Sequence, residues 1–376
     1  AQYAFYLNWS DVTGGTASLA NLPTFMSPAV GALFAGLAIV VAWLHQESRW
    51  GVMLRAARDD QTAARASGIN VWLVRTLAFG LSGLVVGVGG ALQAGALGVV
   101  TVDSFYLGVT FLTLAMLIVG GLYSVSGAVA GVLMLALVIQ LLREAEAGLD
   151  LGFATLPQIF GLPQLGLGLA LLLTIWTRPN GLSGLGELRL ASLTRRPDEV
   201  APKPLTPKAQ TTPTRQSLAV HDVSVRFGGL TALDHITFDV PMGQVTGLIG
   251  PNGAGKTTLI NVICGQQRPT SGSVTLGGQA LSALPAHRVA AAGLARTFQN
   301  IRLFDRLTAL ENVAVAAQNA GRTRAEAEGI AMAELARMGL AARWNERAEA
   351  FAYGDRRRLE IARALALSPA FLLLDE

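Results

Sequence analysis

Five long stretches almost free of charge constrain this chain more than anything else in it: 28–44, 71–95, 109–122, 127–142 and 159–176. Runs of this kind approach the ~20 apolar residues that cross a bilayer, and backbone in hydrocarbon must satisfy its hydrogen bonds internally, so they fold there as helices. Hydrophobic residues make up 51% of the 376 and charged ones only 14%, and the apolar excess lies before Arg178. The first half therefore reads as an all-α membrane region of about five spans and the second as a different, water-facing domain. Four arginines between Arg49 and Arg65 place the 51–70 bend on the cytoplasmic side. Five crossings that start outside end inside, so everything after Arg178 lies in the cytoplasm.

Within the spans, Gly80, Gly83, Gly87, Gly89 and Gly90 suit close helix approach, or an unwound stretch beside a substrate path. Gln93 and Gln140 suit interhelical hydrogen bonds or a pathway lining. Residues 192–216, rich in Pro, Thr and basic side chains without hydrophobic period, read as a tether. The divisions expected are a membrane domain over 1–191, a linker over 192–216 and a nucleotide-binding domain over 217–376.

The second half is organised by TGLIGPNGAGKTT, which fits G-x-x-x-x-G-K-[ST] with Gly250, Gly255, Lys256 and Thr257 at the fixed positions. Glycines let backbone N–H groups curl round an anion, and the helix N-terminus adds partial positive charge. Gly250, Asn252, Gly253, Ala254, Gly255, Lys256, Thr257 and Thr258 are the candidate phosphate-binding residues. Lys256 would reach the outer phosphates and Thr257 would hold Mg²⁺. The run 245–249 reads as a buried strand feeding the loop, with a helix from Lys256. Phe227, before two glycines, is placed to stack on adenine or to pack in the core. Residues 218–227 and 236–240 read as paired strands, 273–276 and 293–298 as further strands, and 309–350 as helical. The last apolar run closes in Asp375 and Glu376. Asp375 suits Mg²⁺ held through water, and Glu376 suits the base that polarises the attacking water.

Other classes are disfavoured. The net charge of +4 comes with no basic stripe interleaved with aromatics, so nucleic acid is not an expected partner. The single cysteine, Cys264, reads as a packing residue, and His45, His221, His235 and His287 have no metal-ligand spacing.

Together GPNGAGKTT, the glutamine of RTFQN, YGDRRRLEIARALA and LLLDE stand in the order and spacing of an ATP-binding-cassette ATPase, which the chain resembles over 217–376. That resemblance implies an α/β P-loop NTPase fold and ATP with Mg²⁺ as cofactors. It makes Gln299 the glutamine that senses Mg²⁺ and the membrane partner, and puts Tyr353 and Gly354 in the signature loop that closes on ATP held by a second cassette.

RTFQNIRLFDRLTALENVAVA resembles the ATPase of branched-chain amino acid importers, while NWSDVTGG, LRAARDDQTAARASGIN, LIVGGLYSVSGAVAG and RPNGLSG resemble their permease. Such importers imply a bacterial inner membrane, a second permease and cassette, an extracytoplasmic solute-binding protein, surrounding lipid and a small amino-acid substrate. Import of urea or short amides is the neighbouring alternative, and a membrane-anchored regulatory ATPase a more distant one. In this likeness 51–70 is the coupling segment that seats on the cassette, with Ala63, Ala64 and Gly68 in its A-A-x-x-x-G spacing. Three departures stand out: Thr62 replaces an acid and removes an expected source of ion pairs, Ala352 replaces the signature serine, and Asp355 replaces a glutamine. Both ends read as cut from a longer fused permease and ATPase, so that this polypeptide alone is expected to be close to inactive.

Overall fold

The structure is a computed structural model that describes residues 22–24, 26–101, 107–147, 160–184, 204 and 217–375. The 192–216 tether, apart from position 204, and Glu376 lie outside the described residues. Two compact units emerge: Ala1–Leu44 with Ser82–Glu199, and His45–Leu81 with Val200–Glu376.

The first unit is helical. Helices α1 (Pro28–Glu47), α4 (Val71–Leu97) and α6 (Val125–Glu146) are long and apolar enough to cross a membrane. The third and fifth expected spans form α5 (Leu107–Gly120) and α7 (Leu162–Thr177), of 14 and 16 residues. At 1.5 Å per residue they are about 21 and 24 Å long, short of the ~30 Å hydrocarbon core. Three of the five expected spans therefore have full spanning length.

Helices α5, α6 and α7 pack around Ala115, Val119 and Leu135, with Leu167, Ala170 and Leu171 against them. Glycine does permit a close approach, but on a different helix from the one expected. A Cβ at Gly131 of α6 would lie 2.1 Å from the Met116 carbonyl oxygen of α5, whereas among the described residues nothing outside its own helix lies within 4 Å of the same point on Gly80, Gly83, Gly87, Gly89 or Gly90. Helix α4 runs unbroken through those five, so no unwound stretch occurs there. Gln140 donates within its own helix to Glu144, at 3.2 Å, rather than across helices. The turn at RPNGLSG closes the end of α5: Leu182 N–H donates to Val119 O and the Ser183 hydroxyl to Gly120 O, satisfying carbonyls that the helix end leaves open.

In the second unit the bend is helical. Ser48 caps α2 (Arg49–Asp59) and Asp60 caps α3 (Gln61–Ala66), each side chain accepting from an amide three residues on. Strands β1 (Ser217–Phe227), β2 (Leu230–Pro241), β3 (Ser271–Leu276) and β4 (Gln279–Ala280) form an antiparallel sheet in the order β2-β1-β3-β4. Residues 236–240 pair with β1 as expected, with Ile236 opposite Val223 and Val240 opposite Leu218. The phosphate-loop helix α8 (Lys256–Ile263) packs beneath this sheet through Leu259, Val262 and Ile263, with Val220 and Val274.

After α9 (Ala286–Ala291), β5 (Leu294–Arg296) pairs in parallel with β6 (Phe371–Leu373). Between them, α10 (Ala309–Asn319), α11 (Arg324–Arg337) and α12 (Tyr353–Leu365) build a separate helical core around Val313, Ile330, Leu335 and Leu359. Capping boxes, Thr308 with Glu311 and Thr323 with Glu326, start α10 and α11.

The expected strand at 245–249 does not form. Its residues are exposed, Val245 and Ile249 almost completely, and among the described residues no ladder partner lies beside it. A strand is held by its neighbours' hydrogen bonds, and the parallel pair β5–β6 does not extend to this run.

Candidate nucleotide-binding site and coupling interface

The phosphate loop has the shape its glycines predict. Gly253 and Gly255 take positive φ, 84° and 85°, and Gly255 is the cap from which α8 starts at Lys256. A Cβ at Gly255 would stand 2.5 Å from the Ala232 carbonyl oxygen, so the turn tolerates no side chain there. Lys256 folds back over the loop, its Nζ donating to Gly250 O at 2.6 Å and Pro251 O at 2.8 Å. Asn252, Gly253, Ala254 and Thr257 are exposed and Thr258 is half-buried, so the loop presents an open, donor-rich face.

Arg296, at the end of β5, gathers the surrounding elements. Its Nη1 donates to Asn261 Oδ1 on α8 at 2.6 Å, its Nη2 to Asp375 Oδ2 after β6 at 3.0 Å, and the guanidinium lies 4.5 Å from the Phe298 ring. Asp375 and Arg296 are both buried, so the carboxylate singled out for metal binding has one oxygen committed to an arginine. Burial pushes the neighbouring Cys264 thiol up to about 11, which keeps it protonated and fits the packing role. Gln299 and Asn300 are exposed just after this cluster, and Phe227 is half-exposed at the end of β1.

Tyr353 and Gly354 open α12 on its exposed N-terminal turn, in the helical core rather than on the sheet that carries the phosphate loop. Ala352 is the N-cap and makes no side-chain cap hydrogen bond, the direct consequence of the missing serine hydroxyl. Asp355 pairs with Arg343 at 3.0 Å.

Sequence reasoning missed the connecting residues. Arg357 of α12 donates to the Phe298 carbonyl at 2.6 Å, to the Asp375 carbonyl at 3.1 Å and to Glu360 at 2.9 Å. Glu360, fully buried, also accepts from the Arg302 backbone N–H at 3.1 Å. Arg363, buried beside it, donates to Arg302 O and lies 4.8 Å from the Phe304 ring; burial pulls it down to about 10, leaving it charged at neutral pH. The sequence reads as a basic amphipathic helix from Arg356 to Leu367, and that pattern gives no sign that Glu360 and Arg363 are interior.

The 51–70 bend packs on this same unit. Met53, Ala56, Ala57, Ala63, Ala64 and Ile69 share a core with Phe298, Phe304, Leu307 and Val315. The polar contacts that Thr62 cannot make come from elsewhere in the bend: two ion pairs, Arg302 Nη1 with Asp60 Oδ2 at 2.8 Å and Arg55 with Glu311 at 3.3 Å, and one hydrogen bond, the Arg306 backbone N–H donating to Asp59 Oδ2 at 3.0 Å. The A-A-x-x-x-G spacing has a physical basis. Ala63 and Ala64 are fully buried, and Gly68, at φ 82°, lets Asn319 approach so that its Nδ2 donates to Ser67 O at 3.2 Å.

This chain is similar to known proteins. A family model described as ABC transporter matches residues 233–376, and one described as branched-chain amino acid transport system / permease component matches residues 6–172. The high-affinity branched-chain amino acid transport ATP-binding protein LivG of Salmonella typhimurium is 41% identical over 174 residues, 42% of this chain and 68% of that protein. BraF of Pseudomonas aeruginosa, with the same description, is 41% identical over 177 residues, 43% of this chain and 69% of its own length. A solved ATP-binding cassette of an ABC transporter is 30% identical, over 43% of this chain and 70% of that one, at a TM-score of 0.39. With an ATP-binding cassette and a permease region of the branched-chain amino acid type in one polypeptide, the chain belongs to the ABC transporters.

Proposed function

We propose that this chain drives the import of branched-chain, hydrophobic amino acids across the bacterial inner membrane, with its cassette in the cytoplasm and ATP hydrolysis as the energy source. The observation that carries this reading is the seating of α2 and α3, which lie in sequence between membrane-length helices, on the cassette core beside Phe298 and Phe304. The description of the permease family and the names of the ATPase relatives support the substrate class. A second permease and cassette and an extracytoplasmic solute-binding protein complete the machine, and Tyr353 and Gly354 act on ATP held by the second cassette. The divisions 1–191, 192–216 and 217–376 remain our reading of its functional regions.

In this mechanism ATP phosphates replace the loop carbonyls as partners of Lys256, and the amides of Gly253, Ala254, Gly255, Thr257 and Thr258 cradle them. Asn252 and Gly250 shape the loop, and Phe227 stacks on the adenine. The exposed Thr257 hydroxyl and the uncommitted Asp375 oxygen fit a hard cation that keeps several waters, so with Gln299 they would hold Mg²⁺, which neutralises charge developing on the phosphates. Glu376 takes a proton from water as that oxygen bonds the γ-phosphorus and ADP leaves.

The test is ATP-dependent uptake of labelled leucine, valine and urea by the complete transporter in proteoliposomes. Uptake of the two amino acids is expected. Urea alone would redirect the substrate class, and hydrolysis with no uptake of any of the three would sink the import reading. The Glu376→Gln variant should trap ATP without turnover, and unchanged hydrolysis there would remove the base assignment.

A further inference from the structure

A cavity of about 420 Å³ lies in the second unit between the bend and the loop that follows α8; its lining includes Thr62, Arg65, Trp72, Gln266, Arg268 and His287. That volume suits a small organic ligand, since such pockets run from roughly 300 to 1,000 Å³. The walls are rich in donors and hold no Asp or Glu. Among the described residues, neither Arg65 nor Arg268 has a carboxylate partner. Gln266 Nε2 is buried without an acceptor, a state that costs about 1 to 3 kcal/mol for a buried polar group and that a ligand oxygen would relieve. His287 is held below the ordinary imidazole value by burial and by Arg288 and Arg65, which fits a positive local potential with no counter-charge.

The position of the pocket adds a second argument. Trp72 is 74% exposed and is the second residue of α4, a helix long and apolar enough to cross a membrane. An exposed tryptophan at the mouth of such a helix sits at headgroup level. Basic pockets between spanning helices take lipid headgroups, and this pocket at the start of α4 offers the same donor chemistry.

We propose that this pocket binds a phosphate-ester group through Arg65, Arg268, Gln266 and His287. The ester comes from an anionic phospholipid headgroup or from a soluble phosphate ester. Bound there, it ties α3 to the segment from Gly265 to His287 and strengthens the seating of the bend.

The test uses the full chain in nanodiscs of phosphatidylcholine, with or without phosphatidylglycerol, and in a third arm phosphatidylcholine discs with soluble glycerol phosphate. Hydrogen exchange is read at 62–72 and 265–287. Protection is expected in at least one anionic arm. Arg65→Ala and Arg268→Ala should each weaken it by about tenfold, the loss of roughly one charge-assisted hydrogen bond. Protection by phosphatidylglycerol alone names the lipid as source, and protection by glycerol phosphate names the soluble ester. Arg337→Ala, which removes an exposed arginine on α11 outside the lining, should leave protection intact. Unchanged exchange of α8 amides in every variant checks the fold. The proposal is overturned if neither anion protects, if protection survives both pocket variants, or if Arg337→Ala abolishes it as fully.

Discussion

Replacing Gly68 by alanine should uncouple ATP hydrolysis from uptake. At φ 82° any L side chain is strained, at about 1 to 2 kcal/mol for a residue forced into the left-handed region. The new Cβ would also stand 3.2 Å from Asn319 Cβ, so Asn319 must give by a few tenths of an ångström. That weakens its hydrogen bond to Ser67 O, a further loss of up to ~1 kcal/mol. Together these come to about 1 to 3 kcal/mol against the docked state, or roughly a 5- to 150-fold smaller ratio of docked to undocked bend. None of the residues involved belongs to the phosphate loop, so hydrolysis should persist. The assay is amino acid taken up per ATP hydrolysed by the complete transporter in proteoliposomes, with Asn319→Ala beside it as the variant that loses the hydrogen bond without the strain. A large fall for Gly68→Ala and a small one for Asn319→Ala is expected. An unchanged ratio in Gly68→Ala would refute the argument that this glycine seats the bend.

Ala352→Ser should restore an N-cap acceptor on α12, slow hydrogen exchange in its first turn by the equivalent of about 0.5 to 2 kcal/mol and raise ATP turnover; exchange no slower than in the parent would remove the capping account. Arg296→Met leaves the buried Asp375 carboxylate unpaired and should cost about 3 to 5 kcal/mol in denaturant unfolding, most of it recovered in Arg296→Met with Asp375→Asn. His235 is held above the ordinary imidazole value by its hydrogen bond to Asp222, then by the charges of Asp222 and Asp234. A raised folded value means that this pair stabilises the fold fully below about pH 6.5 and loses its effect as pH rises through the higher folded value. The NMR titration of His235 should move down in Asp222→Asn, and no movement would show that the pair does not set it.

What was legible in the sequence was local. The phosphate loop, the pairing of β1 with β2 and the helical run after Ala309 follow from glycine placement and hydrophobic period, which need no knowledge of the rest of the chain. Long-range partners were not legible. Arg296 reads as an ordinary arginine before Phe298 and Gln299, yet it is buried and tied to two elements far away in sequence. The run 245–249 is apolar or β-branched apart from Gly247 and forms no strand, because ladder bonds come from neighbours that composition cannot name. The charges of the bend suit a loop in water, yet it forms two capped helices whose small residues are buried. Ala63 and Ala64 are fully buried against the cassette core, and Gly68 takes a positive φ with Asn319 close by, neither of which composition shows.

Those hidden partners form one connected set. Asp60 of the bend holds the Arg302 side chain, while the Arg302 backbone is clasped by Glu360 at its N–H and by Arg363 at its carbonyl. Glu360 in turn holds Arg357, whose guanidinium spans the carbonyls of Phe298 and Asp375. If α12 moved away alone, buried Glu360 and Arg363 would lose the Arg302 backbone and Arg357 would lose the Phe298 and Asp375 carbonyls, at about 1 to 3 kcal/mol for each group left unsatisfied. A displacement of α12 is therefore resisted unless the segment that meets the bend and the segment that ends in Asp375 move with it. The N-terminal turn of α12, with Tyr353 and Gly354, is exposed and is the end that would meet nucleotide in the proposed mechanism, while the inner face of the helix is bonded to both other segments. In the proposed mechanism, closure at that turn would reach the bend through Arg302 and through the core that Phe298 and Phe304 share with Ala56, Ala63 and Ile69, so it would not rest on the Arg302–Asp60 pair alone, which at the exposure of Arg302 is worth at most about 1 kcal/mol.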